Sequence, residues 1–216
     1  MEDEHNLGVG RSDLAAVIAK GLVGAVPGIG AIAAEIVGAI IPNQRLDRIV
    51  EVLRRLDEKV RDLDRGMLNE RMKRPESVDL LEDGLHQASR ALSPERREYI
   101  ASMLKNGLSK DDLTHIEQKK LLSILGELND AEILLLKFYS LFPNEKRKFA
   151  EQHQELFLPV SVHLGSPQGD LDKAALGKSY KNKLIQMGLL RSADVGYDVN
   201  SLGSLLLRYI DLAQRQ

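Results

Sequence analysis

Lys173, Lys178, Lys181 and Lys183 fall within eleven residues, interleaved with Tyr180 and Asn182. On one helix, lysines so placed contact phosphates while a tyrosine or asparagine reaches a base edge. The same residues equally suit contact with another protein. The other chemistry-bearing residue types are dispersed. His5, His86, His115, His153 and His163 form neither an HExxH pair nor a spaced ligand set. His153 lies between Glu151 and Glu155 in a charged stretch that reads as a solvated helix face. There is no cysteine, which removes disulfides, thiolate metal sites and cysteine nucleophiles, and suits a reducing compartment. The tripeptides Gly8-Val9-Gly10 and Gly28-Ile29-Gly30 lack the following lysine and preceding strand of a phosphate-binding loop. The expectation is a protein that is not an enzyme and uses no cofactor, metal or small-molecule substrate.

The elements that carry these residues are built from an aliphatic chain. Its 216 residues are 43% hydrophobic and 29% charged, enough for a packed core in one large domain or two small ones. Aromatic residues make up only 4%, with no tryptophan, so Leu, Ile, Val and Ala must fill the core. A net charge of −2 argues against indiscriminate polyanion binding by the whole chain, while a local basic face stays open. The acidic start Met1-Glu2-Asp3-Glu4 is unlike a secretory signal, which begins with lysine or arginine.

Leu14 to Ile41 is an apolar block rich in glycine and alanine, with only Lys20 and Glu35 charged. Ser12 or Asp13 caps a first helix to about Val26, Pro27 and Gly28 break it, and a second helix runs to Ile41 before Pro42. Gly24 with Gly28, and Gly30 with Ala34 and Gly38, are spaced for close helix approach. Such a hairpin needs a host: the chain's own core, a second copy or other partner, or lipid. The fourteen uncharged residues between Lys20 and Glu35 would cover about 21 Å of helix, against about 30 Å of hydrocarbon. A full span must therefore admit a charge, at about 2.5–3.5 kcal/mol if placed centrally. Glu35 pairing with Lys20 across the hairpin is the soluble alternative.

The spacing predicts one long helix from about Asn43 to Arg74, stopped by Pro75. Leu46, Ile49, Leu53, Leu56, Val60, Leu63 and Met67 alternate at three and four residues, an unbroken heptad stripe. It suits a coiled-coil seam between copies or a core helix of one bundle. Helices follow over about Glu76 to Leu92, from Pro94 to Asn106 with Gly107 as its stop, and from a cap among Ser109, Asp111 and Asp112 to about Leu128. Asn129 or Asp130 caps the next, and a charged helix runs from Asn144 to about Leu156. After a loop rich in proline and glycine comes a helix over Leu171 to Leu190. A tight β-turn region follows at Arg191 to Asn200, then a last helix capped by Ser201. Helices, short strands and a final helix in that order resemble a winged helix-turn-helix module, with Lys173 to Met187 as its third helix.

One family shares this order. A glycine-rich apolar front precedes the arginine-containing helix Leu46 to Val60. The RREYIASMLKNGL stretch (Arg96 to Leu108) and the helix Glu127 to Ser140 follow, and the chain closes on Lys181 to Ile210. The chain resembles the abortive-infection alpha (Abi-alpha) family of bacterial proteins over about two thirds of its length. The resemblance implies a bacterial phage-defence role and supplies no catalytic residues.

These readings combine into an all-α protein in three parts: an apolar hairpin at 1–42, a long heptad helix and bundle at 43–128, and a small winged-helix-like module at 129–216. Gly24, Gly28, Gly30, Ala34 and Gly38 would form a membrane or oligomer interface. Leu46 to Met67 would form the seam, and Lys178, Tyr180, Lys181 and Lys183 a nucleic-acid or partner contact. The expected function is non-enzymatic defence by a cytoplasmic protein that self-associates and acts on the inner membrane when triggered. The rival is a winged-helix transcription regulator dimerised by its front helices.

Overall fold

The computed structural model describes residues 46–157, 163, 165–194 and 196–213. Gly24, Gly28, Gly30, Ala34 and Gly38, with the rest of the apolar block, lie outside them. Among the described residues the protein is mainly α-helical, with ten helices and one two-stranded antiparallel sheet. The chain divides into two compact units, Met1–Gly126 and Glu127–Gln216.

In the first unit, α1 (Leu46–Val60) buries Ile49, Val52, Leu53, Leu56 and Val60. It lies against α3 (Pro75–Arg90) and α4 (Pro94–Ser109). The sequence reading of one helix to Arg74 is corrected here: α1 ends at Val60, and α2 (Arg65–Met72) begins afresh. The break contains neither proline nor glycine. Asp64 causes it by turning its carboxylate onto the backbone N–H of Met67 at 2.6 Å, which makes it a helix N-cap. A short aspartate side chain that satisfies an orphan amide competes with continued helix. Leu63 and Met67 consequently leave the stripe and sit half-buried, whereas Leu68 and Met72 enter the core.

Proline at the first position starts both α3 and α4, and the Ser93 hydroxyl caps α4 by accepting from Arg96 N–H at 3.1 Å. Gly107 does not stop α4, which runs on to Ser109. A Cβ on Gly107 would meet Leu80 Cδ2 of α3 at 2.6 Å, and one on Gly84 of α3 would meet Leu104 Cδ2 of α4 at 2.6 Å. Each helix thus places a leucine where the other lacks a side chain, so the two backbones approach closely. The fifth helix, α5 (His115–Glu127), starts later than the Ser109–Asp112 region because Thr114 and Glu117 cap each other reciprocally. It buries Leu121, Leu122, Ile124 and Leu125.

The second unit centres on α6 (Asp130–Ser140), against which α7 (Pro143–Gln152) and α9 (Gln168–Gln186) pack. One helical turn, α8 (Gln154–Phe157), follows α7 after a break at His153, dividing the helix expected to Leu156. Two strands, β1 (Leu190–Ser192) and β2 (Tyr197–Val199), pair antiparallel with Leu190 opposite Val199 and Ser192 opposite Tyr197. The chain then enters α10 (Ser201–Tyr209), capped by Asn200 rather than by Ser201. A Cβ on Gly203 would lie 2.4 Å from the Leu189 carbonyl oxygen, so only glycine lets α10 sit this close to the start of the hairpin.

Candidate functional site

The lysine-bearing helix α9 spans nineteen residues, yet buries only Leu184. Asp170 and Asp172 lie near its start beside Lys173, whereas Lys178, Lys181 and Lys183 lie towards its end. That order complements the helix dipole, which is positive at the N-terminus and negative at the C-terminus. Gly188, at φ +70°, terminates it. Leu189 N–H reaches back to the Leu184 carbonyl at 2.9 Å, and Gly188 N–H to that of Ile185 at 2.9 Å. This glycine-terminated cap turns the chain directly into β1 and brings Leu184 and Leu189 together in the core.

The four residues expected to face a ligand divide here. The Lys183 ammonium donates to the Glu132 carboxylate at 2.9 Å and to the Glu127 carbonyl at 2.6 Å. Glu132 is 3% exposed, and its carboxylate also accepts from Asn129 N–H, closing a capping box at the start of α6. Lys183, which the sequence reading placed in a nucleic-acid or partner contact, thus ties α9 to α6. Lys178 is exposed and Tyr180 half-buried. The Lys181 ammonium lies over the Tyr197 ring of β2, 5.8 Å from its centroid.

Tyr197 belongs to a cluster that reading the spacing missed. All four phenylalanines of the chain, Phe138, Phe142, Phe149 and Phe157, lie within twenty residues of one another. Phe138 stacks on Phe157 with centroids 4.6 Å apart, and Phe149 meets Phe157 edge-on at 5.8 Å. The Tyr139 ring lies edge-to-face with that of Tyr197 at 5.4 Å. The Lys146 ammonium sits 5.5 Å from the Phe138 centroid and 5.8 Å from that of Tyr139. Lys146, Tyr139, Tyr197 and Lys181 thus form one continuous strip across α7, α6, β2 and α9. Burial and the neighbouring Tyr197 push the Tyr139 phenol above its ordinary pKa. Burial lowers that of Lys137, which donates to the Leu212 carbonyl at 2.6 Å.

Charged groups in the first unit form networks of another kind. Arg55 bridges Glu51 and Glu98, Lys59 joins Glu98 at 2.7 Å, and Arg97 reaches Glu51 at 2.6 Å. His115 Nε2 lies 2.8 Å from Asp79, which Lys119 also meets at 2.7 Å. A His–Asp pair supplies two of the three members of a nucleophilic triad, but the other ring nitrogen, Nδ1, is buried without a hydrogen-bond partner, where a nucleophile would have to be. Among the described residues no group of three or more histidines or carboxylates is placed to hold a metal ion. Nor is any helix there long and apolar enough to cross a membrane.

No family model, curated protein or solved structure matches the chain.

Proposed function

We propose that the chain is a non-enzymatic bacterial defence protein of the abortive-infection type, which self-associates through its N-terminal segment and acts on the inner membrane when triggered. The resemblance to the Abi-alpha family carries the defence role. One structural observation supports the choice of segment. Ile49, Leu53, Leu56 and Val60 are each 0–1% exposed, buried in a unit where α1 packs against α3 and α4. These four residues of the heptad stripe therefore have apolar partners within their own chain, which supports a core role for them. Association then falls to Leu14–Ile41, whose composition calls for an apolar host.

The test is a phage challenge of cells expressing the full chain, beside dye release from liposomes by the purified protein. Expected are fewer progeny phage and measurable release, both lost in Gly28→Leu and Gly38→Leu, because a bulky side chain blocks close helix approach. Unchanged phage yield and intact liposomes would sink the proposal.

The element order of α6, α7, α9 and the hairpin supports a second reading, a winged-helix transcription regulator. With Lys183 tied to Glu132, duplex contact would rest on Lys178 and Lys181. Salt-dependent duplex binding that weakens in Lys178→Ala and Lys181→Ala would favour this reading over the first.

A further inference from the structure

We propose that the lysine-flanked aromatic strip of the second unit is a binding site for single-stranded nucleic acid. The inference goes beyond the defence reading and does not depend on it. Its observations are the contact chain from Lys146 through Tyr139 and Tyr197 to Lys181, with separations of 5.8, 5.4 and 5.8 Å, and the incomplete burial of all four side chains. Phe142, 64% exposed, lies one helical turn before Lys146, whose backbone N–H donates to the Phe142 carbonyl at 3.2 Å. A large exposed ring that its own fold leaves uncovered, beside a cation, is the arrangement on which an unpaired base stacks.

Further exposed cations lie on the same two helices as Lys146 and Lys181. Arg147 and Lys148 follow Lys146 on α7, and Lys178 precedes Lys181 by three residues on α9. Of the nearby carboxylates, Glu145 accepts from Phe142 N–H at 3.3 Å, Asp198 lies 3.5 Å from Arg191, and Glu151 pairs with Arg147 at 3.0 Å. That last pair is exposed, with side-chain exposures of 89% and 60%, so phosphate competes for the guanidinium at little cost. Lys146 and Lys181 stand near the outer end of the roughly 6 Å range of a cation–π contact. Swinging onto phosphates, they uncover the faces of Tyr139 and Tyr197 for bases.

Chemistry separates this ligand from its competitors. A duplex keeps its bases stacked inside and offers nothing to the rings. An acidic peptide would engage the lysines and leave the rings unused. A bilayer would take up the projecting Phe142 ring but would leave Tyr139 and Tyr197, half-buried and braced edge-to-face, unused.

The experiment is fluorescence anisotropy of the full chain with a labelled mixed-sequence 20-mer as single-stranded DNA, single-stranded RNA and duplex, from 50 to 200 mM salt. Vesicles containing phosphatidylglycerol are tested alongside. Expected is binding of one or both single strands, with the duplex weaker. In the double variant Lys146→Gln/Lys181→Gln the slope of log affinity against log salt should flatten by about 1.4, for two lost phosphate contacts. Tyr197→Leu, which keeps apolar volume but removes the ring, should weaken binding roughly tenfold or more, and Tyr197→Phe should restore it. Circular dichroism verifies folding of each variant. The proposal is overturned by no oligonucleotide binding at 50 mM salt, by preference for the duplex, by binding to vesicles alone, or by single-strand binding that the folded lysine double variant leaves unchanged.

Discussion

At the scale of residues, the most consequential side chains are charged groups that the fold has already partnered. Lys183 and Glu132 show why a lysine count is a weak guide to ligands: the helix that presents Lys183 also aims it at a carboxylate 4% exposed. Removing the amine leaves that carboxylate buried with only its cap bond. Lys183→Ala should therefore cost about 1–3 kcal/mol in urea unfolding. An unchanged midpoint would show the pair to be idle. The carboxylates of the first unit make a second prediction. Burial alone would raise Glu51 and Glu98, but bonds and charge from Arg55, with Arg97 on Glu51 and Lys59 on Glu98, bring both below the ordinary glutamate value. The bond from Lys119, helped by His115, lowers Asp79. Groups lowered on folding bind fewer protons in the native state, so their stabilisation is present at neutral pH and fades as pH falls through and below about 4. Tm should drop across that window, and Asp79→Asn should make the drop shallower.

At the scale of elements, local signals competed and the structure shows which prevailed. Periodicity across Leu46 to Met67 favoured one helix, yet the Asp64 cap ended it, because a carboxylate bonded to the backbone outweighs one more turn of weakly buried stripe. Asp64→Ala should cost about 1 kcal/mol, measured by denaturant unfolding. Glycines proved harder still to interpret. Gly107 reads as a helix stop, but it is an interior position that admits Leu80, as Gly84 admits Leu104. Gly84→Ala and Gly107→Ala should each destabilise by about 1–3 kcal/mol through overpacking. Helix-propensity gain would instead make them stabilising, so the sign of the change in midpoint decides. Nothing in the local sequence distinguishes a glycine that ends a helix from one that receives a neighbour's leucine.

At the scale of the whole molecule, the stripe of α1 decides how the chain could associate. If it serves the unit's own core, Leu56→Ala should lower stability by about 2–5 kcal/mol while sedimentation shows the same mass distribution as the parent. A folded variant that has merely dissociated would place the seam between copies. The helical class, the cap at Ser93, a cap at Asn129 or Asp130, proline at the start of α4, and the turn after α9 were all legible in the sequence, because each depends on residues within a few positions of one another. Tertiary structure alone decided what those elements meet. It placed Ile49, Leu53, Leu56 and Val60 in an internal core, gave Lys183 to Glu132, and assembled Tyr139, Lys146, Lys181 and Tyr197 into one strip from four separate elements. The physical reason is range: periodicity and capping are written in neighbouring residues, whereas the partner of a stripe, a cation or a ring is chosen only when distant segments pack.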